Sequence, residues 1–190
     1  MAAQQAQIYQ LKITLKYSKP PIWRRIQVPD TIGLSKLHTV FQIVMGWEDE
    51  HLHQFICNEI PYMPGEPDMY DFLRHENSRK YKLKQLLKQP KDWLIYEYDF
   101  GDYWQHKVVL EKILPMDQYG LQPRCIAGKG ACPPEDIGGI GGYYEFLAAV
   151  ADPESPERDY YEERFEDLSF DPDRFDINQI NLALIELVKK

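Results

Sequence analysis

The chain has 190 residues and a mass of 22.4 kDa, room for one sizeable domain. An apolar content of 44% suffices for a core, while 22 basic against 30 acidic residues leave a formal charge of −8, which excludes bulk electrostatic binding to duplex nucleic acid. A mean hydropathy of −0.52, short apolar runs and no apolar stretch among the first 20 residues argue against a membrane span and against export, so the expectation is a cytoplasmic protein with no membrane partner.

Residues 1–7 are small and polar and read as a disordered N-terminus, with a single domain over 8–190 whose part from about 152 onward is acidic and helical. From Ile8 to Tyr17 apolar and polar residues alternate as in a half-buried strand, and Ile22 to Pro29 reads as a second. Leu34, Leu37, Phe41, Val44 and Met45 then fall at helical spacings, with Ser35 or Thr31 as N-cap and Gly46 as stop. Strand alternation returns from His51 to Asn58. Residues 59–80 are proline-rich and read as a long loop or lid, and Lys82 to Lys88 as a short helix.

Trp93–Asp99 and Tyr103–Leu114 flank Phe100-Gly101-Asp102 as a hairpin, with Gly101 supplying any positive φ the turn needs. The glycine- and proline-rich 115–142 reads as irregular. Three helices follow: Tyr143 to Ala151, a second from Ser155 through about 167, and Ile177 to Val188, opened by Asp176 and Gln179 as a capping box. Strands and helices segregate, which predicts an α+β single domain, a mainly antiparallel sheet of about five strands with helices packed on it.

Charge is laid out unevenly. Lys12, Lys16, Lys19, Arg24 and Arg25 lie in a stretch without acids, whereas residues 152–176 hold eleven carboxylates against three arginines, a local −8 equal to that of the whole chain. The remainder is therefore near neutral and has room for a local basic face.

Three constellations carry candidate chemistry. His51 and His53 are spaced to share a strand face with Cys57, and two same-face imidazoles suit a transition metal; the alternative is a pair of hydrogen-bonded core histidines. In Tyr98-Asp99-Phe100-Gly101-Asp102-Tyr103-Trp104-Gln105-His106 the turn brings Asp99 and Asp102 near each other with His106 farther along the strand, a set able to hold a cation or exchange a proton; the alternative is ordinary turn chemistry. Residues 125–142 hold Cys125 and Cys132, Glu135 and Asp136, and the run Gly138-Gly139-Ile140-Gly141-Gly142. The cysteines lack a CxxC knuckle and complete a metal set with His51 and His53 only if the fold lays this loop over that strand. Glu135 and Asp136 at the mouth of the glycine run disfavour a phosphate cradle, so close packing is the better use of those glycines.

The segments PPIWRRIQVP, LHTVFQIVMGWEDEHLHQF, YEYDFGDYWQHKVVLE and CIAGKGACPPEDIGGIGGYYEFL, in that order, resemble the plasmid pRiA4b Orf-3-like family over about Ile8 to Val150. The resemblance implies an α+β single domain and a passenger of plasmids or mobile elements, sometimes labelled TnpR-like, and it gives none of these residues a role. The nucleophilic serine, clustered arginines and helix-turn-helix of a resolvase are absent from the sequence.

Three readings follow. The first is a non-catalytic module binding an unknown protein or small-molecule ligand in a cleft between the aromatic hairpin and the Cys132–Gly142 loop, lined by Trp23, Arg24, Arg25, Tyr98, Phe100 and Trp104. The second is a metal-dependent hydrolase or nuclease. In it His51, His53, Asp99, Asp102 or His106 hold a divalent metal such as zinc, and Glu135 or Asp136 activates water; Cys125 and Cys132 are metal candidates only in a set with His51 and His53. The third is a scaffold whose polar motifs are turns and caps.

Overall fold

The computed structural model describes residues 6–66, 75–116, 120–165 and 168–189. In chain order these form β1 (Gln7–Leu15), β2 (Trp23–Pro29), α1 (Leu34–Met45), β3 (His53–Cys57), β4 (Ile60–Met63), β5 (Glu76–Asn77), a 3-10 turn (Ser78–Lys80), α2 (Leu83–Leu86), β6 (Trp93–Tyr98), β7 (Trp104–Pro115), β8 (Arg124–Lys129), α3 (Gly139–Ala151), α4 (Arg158–Arg164) and α5 (Ile177–Lys189). The strands make one eight-stranded sheet in the order β5-β4-β3-β6-β7-β1-β2-β8, antiparallel at every pairing but β4 with β5. The architecture is the expected α+β single domain, with eight strands where about five were predicted.

Alternation decides the faces. Leu11, Ile13 and Leu15 of β1, Ile26 and Val28 of β2, Leu94 and Tyr96 of β6 and Val108 and Leu110 of β7 are buried beneath the helices, where α1 inserts Leu34, Leu37, Phe41 and Val44. Phe41 meets Phe55 and Tyr96 ring to ring. The opposite face of the same strands carries Lys12, Thr14, Trp23, Arg25, Lys107 and Val109, and none of these belongs to the core. Gly46 ends α1 at φ 104, where a left-handed residue returns the chain toward β3.

Several local expectations are corrected. β8 lies inside the segment read as irregular, because its small residues hide strand periodicity: Gly128 is overlaid by Phe175, which a Cβ there would meet at 2.5 Å. β4, β5 and the 3-10 turn occupy part of the predicted 59–80 loop, of which 67–74 lie outside the described residues. α1 is capped by Gly33 without a side-chain bond rather than by Ser35 or Thr31, and α3 starts at Gly139, before Tyr143. Gln7 already opens β1, while residues 1–5 of the predicted disordered terminus, and 166–167 of the predicted second C-terminal helix, lie outside the described residues. At α5, Asp176 Oδ1 accepts from the backbone N–H groups of Asn178 and Gln179, as a cap should. Among the described residues no helix is long and apolar enough to cross a membrane.

Candidate functional site

The β6–β7 turn places the first ligand-type side chain. Positive φ falls on Asp99 (57°) and Tyr103 (62°), not on Gly101 as the sequence suggested. Asp99 tolerates it because Oδ1 accepts from the Gly101 N–H at 2.8 Å, a local turn bond. The second oxygen, Oδ2, is left 3.8 Å from His51 Nε2. Turn chemistry and site chemistry are thus divided between the two oxygens of one carboxylate.

The segment 131–138 brings the other acids. The Trp47 indole N–H donates to the Pro133 carbonyl at 3.1 Å, the Gly138 N–H donates to Asp102 Oδ2 at 3.0 Å, and Gly139 lies so close to the Asp102 carbonyl that a Cβ would meet its oxygen at 2.4 Å. The segment is therefore laid against the hairpin tip. Glu135 Oε1 accepts from the Glu48 N–H at 2.9 Å and the Tyr98 hydroxyl at 3.1 Å, which aims Oε2 at His51 Nε2, 3.7 Å away. Asp136 Oδ1 is 3.1 Å from the same nitrogen, out of line for a hydrogen bond. His51 Nε2 and Glu135 Oε2 are both buried without a hydrogen-bond partner, and among the described residues no lysine or arginine side chain pairs with the Asp99, Glu135 or Asp136 carboxylate. Burial pushes the Glu135 carboxyl up from its ordinary range, against the pull of the Glu48 and Tyr98 bonds and of His51. One imidazole nitrogen facing three carboxylates with no organic cation is an arrangement that an inorganic cation completes.

A second group flanks the first. His38 Nε2 lies 2.6 Å from Asp49 Oδ1 and His38 Nδ1 lies 2.8 Å from the Tyr96 hydroxyl; the Gln42 amide donates to that hydroxyl at 2.9 Å and accepts from the Asp49 N–H at 3.0 Å. The ring closes only if Tyr96 gives its proton to Nδ1, so Nε2 carries the hydrogen donated to Asp49. His53 stacks on His38 with ring centroids 3.4 Å apart and planes 5° from parallel. Although ligand atoms of His38, Asp49 and His53 lie within 4.8 Å of one another, the one His38 nitrogen lone pair, on Nδ1, already accepts from Tyr96 and Nε2 carries its hydrogen. This group holds the 46–52 segment, which carries His51, onto α1 and β6.

The remaining sequence candidates separate. Neither ligand group among the described residues includes a cysteine: Cys125 is buried, Cys132 is partly buried beside Gly46, and no set forms with His51 and His53. Asp102 anchors Gly138 instead of facing a cation, and His106 is fully buried beneath Trp47 with Nδ1 3.3 Å from the Tyr96 carbonyl. The residues proposed to line one cleft do not share one. Arg24 and Arg25 are strand neighbours and point oppositely. Arg24 is buried, donating to the carbonyls of Val44, Trp23 and Lys129, while Arg25 grips Glu111 at 2.7 and 2.9 Å on the same face as Trp23. Tyr98 and Trp104 are core, and Phe100 sits at the hairpin tip. His38 and Asp49 were not singled out from sequence as site residues. Their available signal was a histidine on the buried stripe of α1, one turn before Gln42.

Two histidines make stability depend on pH. Burial depresses His106 to about 4, and burial with the stacked His38 depresses His53 to about 3. Folded values below the unfolded 6.5 mean that the unfolded chain takes up protons first, so this stability is complete above about pH 6.5 and lost as pH falls toward 4. The expected loss from His106 alone is roughly 3 kcal/mol between pH 6.5 and 4. Urea titrations at pH 7.5, 5.5 and 4.5 measure it. His106→Gln should flatten the slope, and an unchanged slope would reject the assignment.

Comparison with known proteins gives consistent matches over most of the chain. A family model described as "Plasmid pRiA4b ORF-3-like protein" matches residues 7–179. "Uncharacterized protein y4hQ" of Sinorhizobium fredii (strain NBRC 101917 / NGR234) is 34% identical over 187 residues, covering 97% of this chain and 94% of that protein. A solved structure, "Crystal Structure of Protein of Unknown Function MM3350 from Methanosarcina mazei Go1", matches with a TM-score of 0.79 at 38% identity, covering 92% of this chain and 98% of that one.

Proposed function

This chain belongs to the plasmid pRiA4b ORF-3-like family, and from its side-chain geometry we propose that it is a divalent-cation-dependent hydrolase centred on His51. The observation that carries the reading is the convergence of His51, Asp99 and Asp136, each offering a ligand atom within 4.8 Å of the others, with Asp99 Oδ2, Glu135 Oε2 and Asp136 Oδ1 at 3.8, 3.7 and 3.1 Å from His51 Nε2. One imidazole among carboxylates is a mixed donor set suited to Mn²⁺ or Zn²⁺. A cation held there would polarise a substrate oxygen and acidify water. The protein's own part is to fix the ligands: Asp99 by its turn, Asp136 by the segment laid on the hairpin. Glu135, with Oε1 pinned by two donors and its carboxyl pushed up by burial, offers Oε2 as acceptor for a proton leaving water. The non-catalytic cleft reading is less well supported, since the 131–138 segment rests on the hairpin where the cleft was expected to open.

Chelator-treated protein should bind one equivalent of Mn²⁺ or Zn²⁺ by calorimetry and elemental analysis. His51→Ala and Asp136→Asn should each weaken binding at least about tenfold, and Cys132→Ala should leave it unchanged. With a p-nitrophenyl phosphodiester or acetate as probe, Glu135→Gln should retain the metal and lose about 10²-fold or more in turnover. Metal binding that survives His51→Ala, or a wild type that binds no metal, overturns the proposal.

A further inference from the structure

We infer that the face of the sheet turned away from the helices is a docking surface for single-stranded nucleic acid. Strand register places Lys12, Arg25, Lys107, Lys112 and Lys129 on this face, and the Lys16 ammonium joins them through Gln105; among the described strand residues two carboxylates, Glu97 and Glu111, stand against them. The two acids offset two of these six cations, leaving four in excess. Glu97 is buried and bonded by the Gln54 and Gln105 amides, and Glu111 is held bidentately by Arg25. The acid-rich 152–176 stretch lies on the other side, packed through Tyr161 and Phe170 against Phe146 and Tyr143 of α3. The basic face is thus turned to solvent on the side of the sheet opposite this acidic stretch, although the chain as a whole is acidic.

Aromatic rings are interleaved with these cations. Trp93 is 52% exposed, with the Lys107 ammonium 5.2 Å from its ring centre; Lys12 and Arg25 both lie over Trp23 at 5.1 Å. Trp93 and Trp23 are three strand spacings apart across β6, β7, β1 and β2 and two residues offset along the strand, roughly 16 Å in all, a span of two to three nucleotides. On the same face lies a shallow groove of about 460 Å³ bordered by Gln10, Arg25, Lys91, Val109, Glu111 and Lys112, in which Glu111 is already paired with Arg25. An exposed indole on a flat, basic sheet can stack an unpaired base while neighbouring ammonium groups take the phosphates, whereas a duplex hides its bases and meets only the charge. This favours a single strand over a duplex or an acidic protein surface.

The test is fluorescence anisotropy of a labelled twelve-nucleotide oligothymidine with the full chain, in EDTA so that the His51 centre takes no part. The expected result is a dissociation constant of roughly 1–100 µM at 50 mM salt, weakening at least tenfold by 200 mM, with quenching of tryptophan emission. The Lys12→Gln/Lys107→Gln pair should weaken binding about tenfold and Trp93→Leu about fivefold or more, both with unchanged circular dichroism and melting. Absence of binding at 50 mM salt, equal affinity for the matching duplex or for polyglutamate, or indifference to Trp93→Leu overturns the inference.

Discussion

Replacing Gly142 by alanine is expected to lower the unfolding free energy by about 3 kcal/mol, a fall in Tm of about 6–12 °C for a chain of this size, and to abolish cation binding at His51. A Cβ at this position would lie 1.8 Å from the Ile137 carbonyl oxygen and 2.9 Å from its carbon. The obstacle is backbone, so no rotamer relieves it, and the segment holding Glu135, Asp136 and Ile137 would have to move off the hairpin. Gly141, one residue earlier in α3, is the internal control, because nothing lies within 4 Å of its Cβ position. Gly141→Ala should raise stability by about 0.5–1 kcal/mol through helix propensity and a stiffer unfolded chain. Urea denaturation and Mn²⁺ calorimetry on the two variants read the contrast, and similar effects from both would mean that this glycine run does not set the position of the acids.

The elements most legible in the sequence are those with one face in the core. The alternation of Ile8 to Leu15 and the helical stripe from Leu34 to Met45 define β1 and α1 because burial imposes those periods on the residues themselves. β8 was illegible for the converse reason. Gly128 occupies it to admit Phe175 and the Arg24 stem, a demand set by residues far away in sequence. β4 is similarly disguised by Pro61, opposite Ile56. The first turn of α3 holds three glycines, poor helix formers: the hairpin carbonyl at Asp102 leaves Gly139 no room for a side chain and the Ile137 carbonyl leaves Gly142 none, while Gly141 is open.

The candidate site was legible as a set of residue types but not as a partition. The strand expected to carry both His51 and His53 begins only at His53, so His51 lies in the preceding segment and the two end in different groups. The loop carrying Glu135 and Asp136 reaches only the nearer one, and His38 stacks on the other. Asp99 and Asp102 straddle one turn and also part company, one facing His51 and one holding Gly138. These divisions depend on where segment 131–138 crosses the hairpin, a contact between residues more than thirty apart that no local pattern encodes. Pairing the two arginines in one cleft failed on the period of two of a strand, which separates residues 24 and 25 to opposite faces.

Trp47 tests whether packing beneath the site and the position of its acids are linked. The side chain is buried, with ring centres 5.0 Å from Tyr98, 5.9 Å from Trp104 and 5.1 Å from His106, and its N–H holds the Pro133 carbonyl two residues before Glu135. Trp47→Ala removes both functions and should cost about 3–5 kcal/mol. Trp47→Phe keeps most of the aromatic contact and deletes the hydrogen bond, for which about 1–2 kcal/mol is expected. If the bond positions the acidic segment, Trp47→Phe should also weaken Mn²⁺ binding several-fold at a temperature where the variant is fully folded, and His51→Ala added to it should weaken binding further still, because the imidazole remains a ligand when the acids shift. If Trp47→Phe loses stability while binding Mn²⁺ as the wild type does, the indole is a core residue alone, and the position of Glu135 and Asp136 rests on the Glu48, Tyr98 and Asp102 bonds.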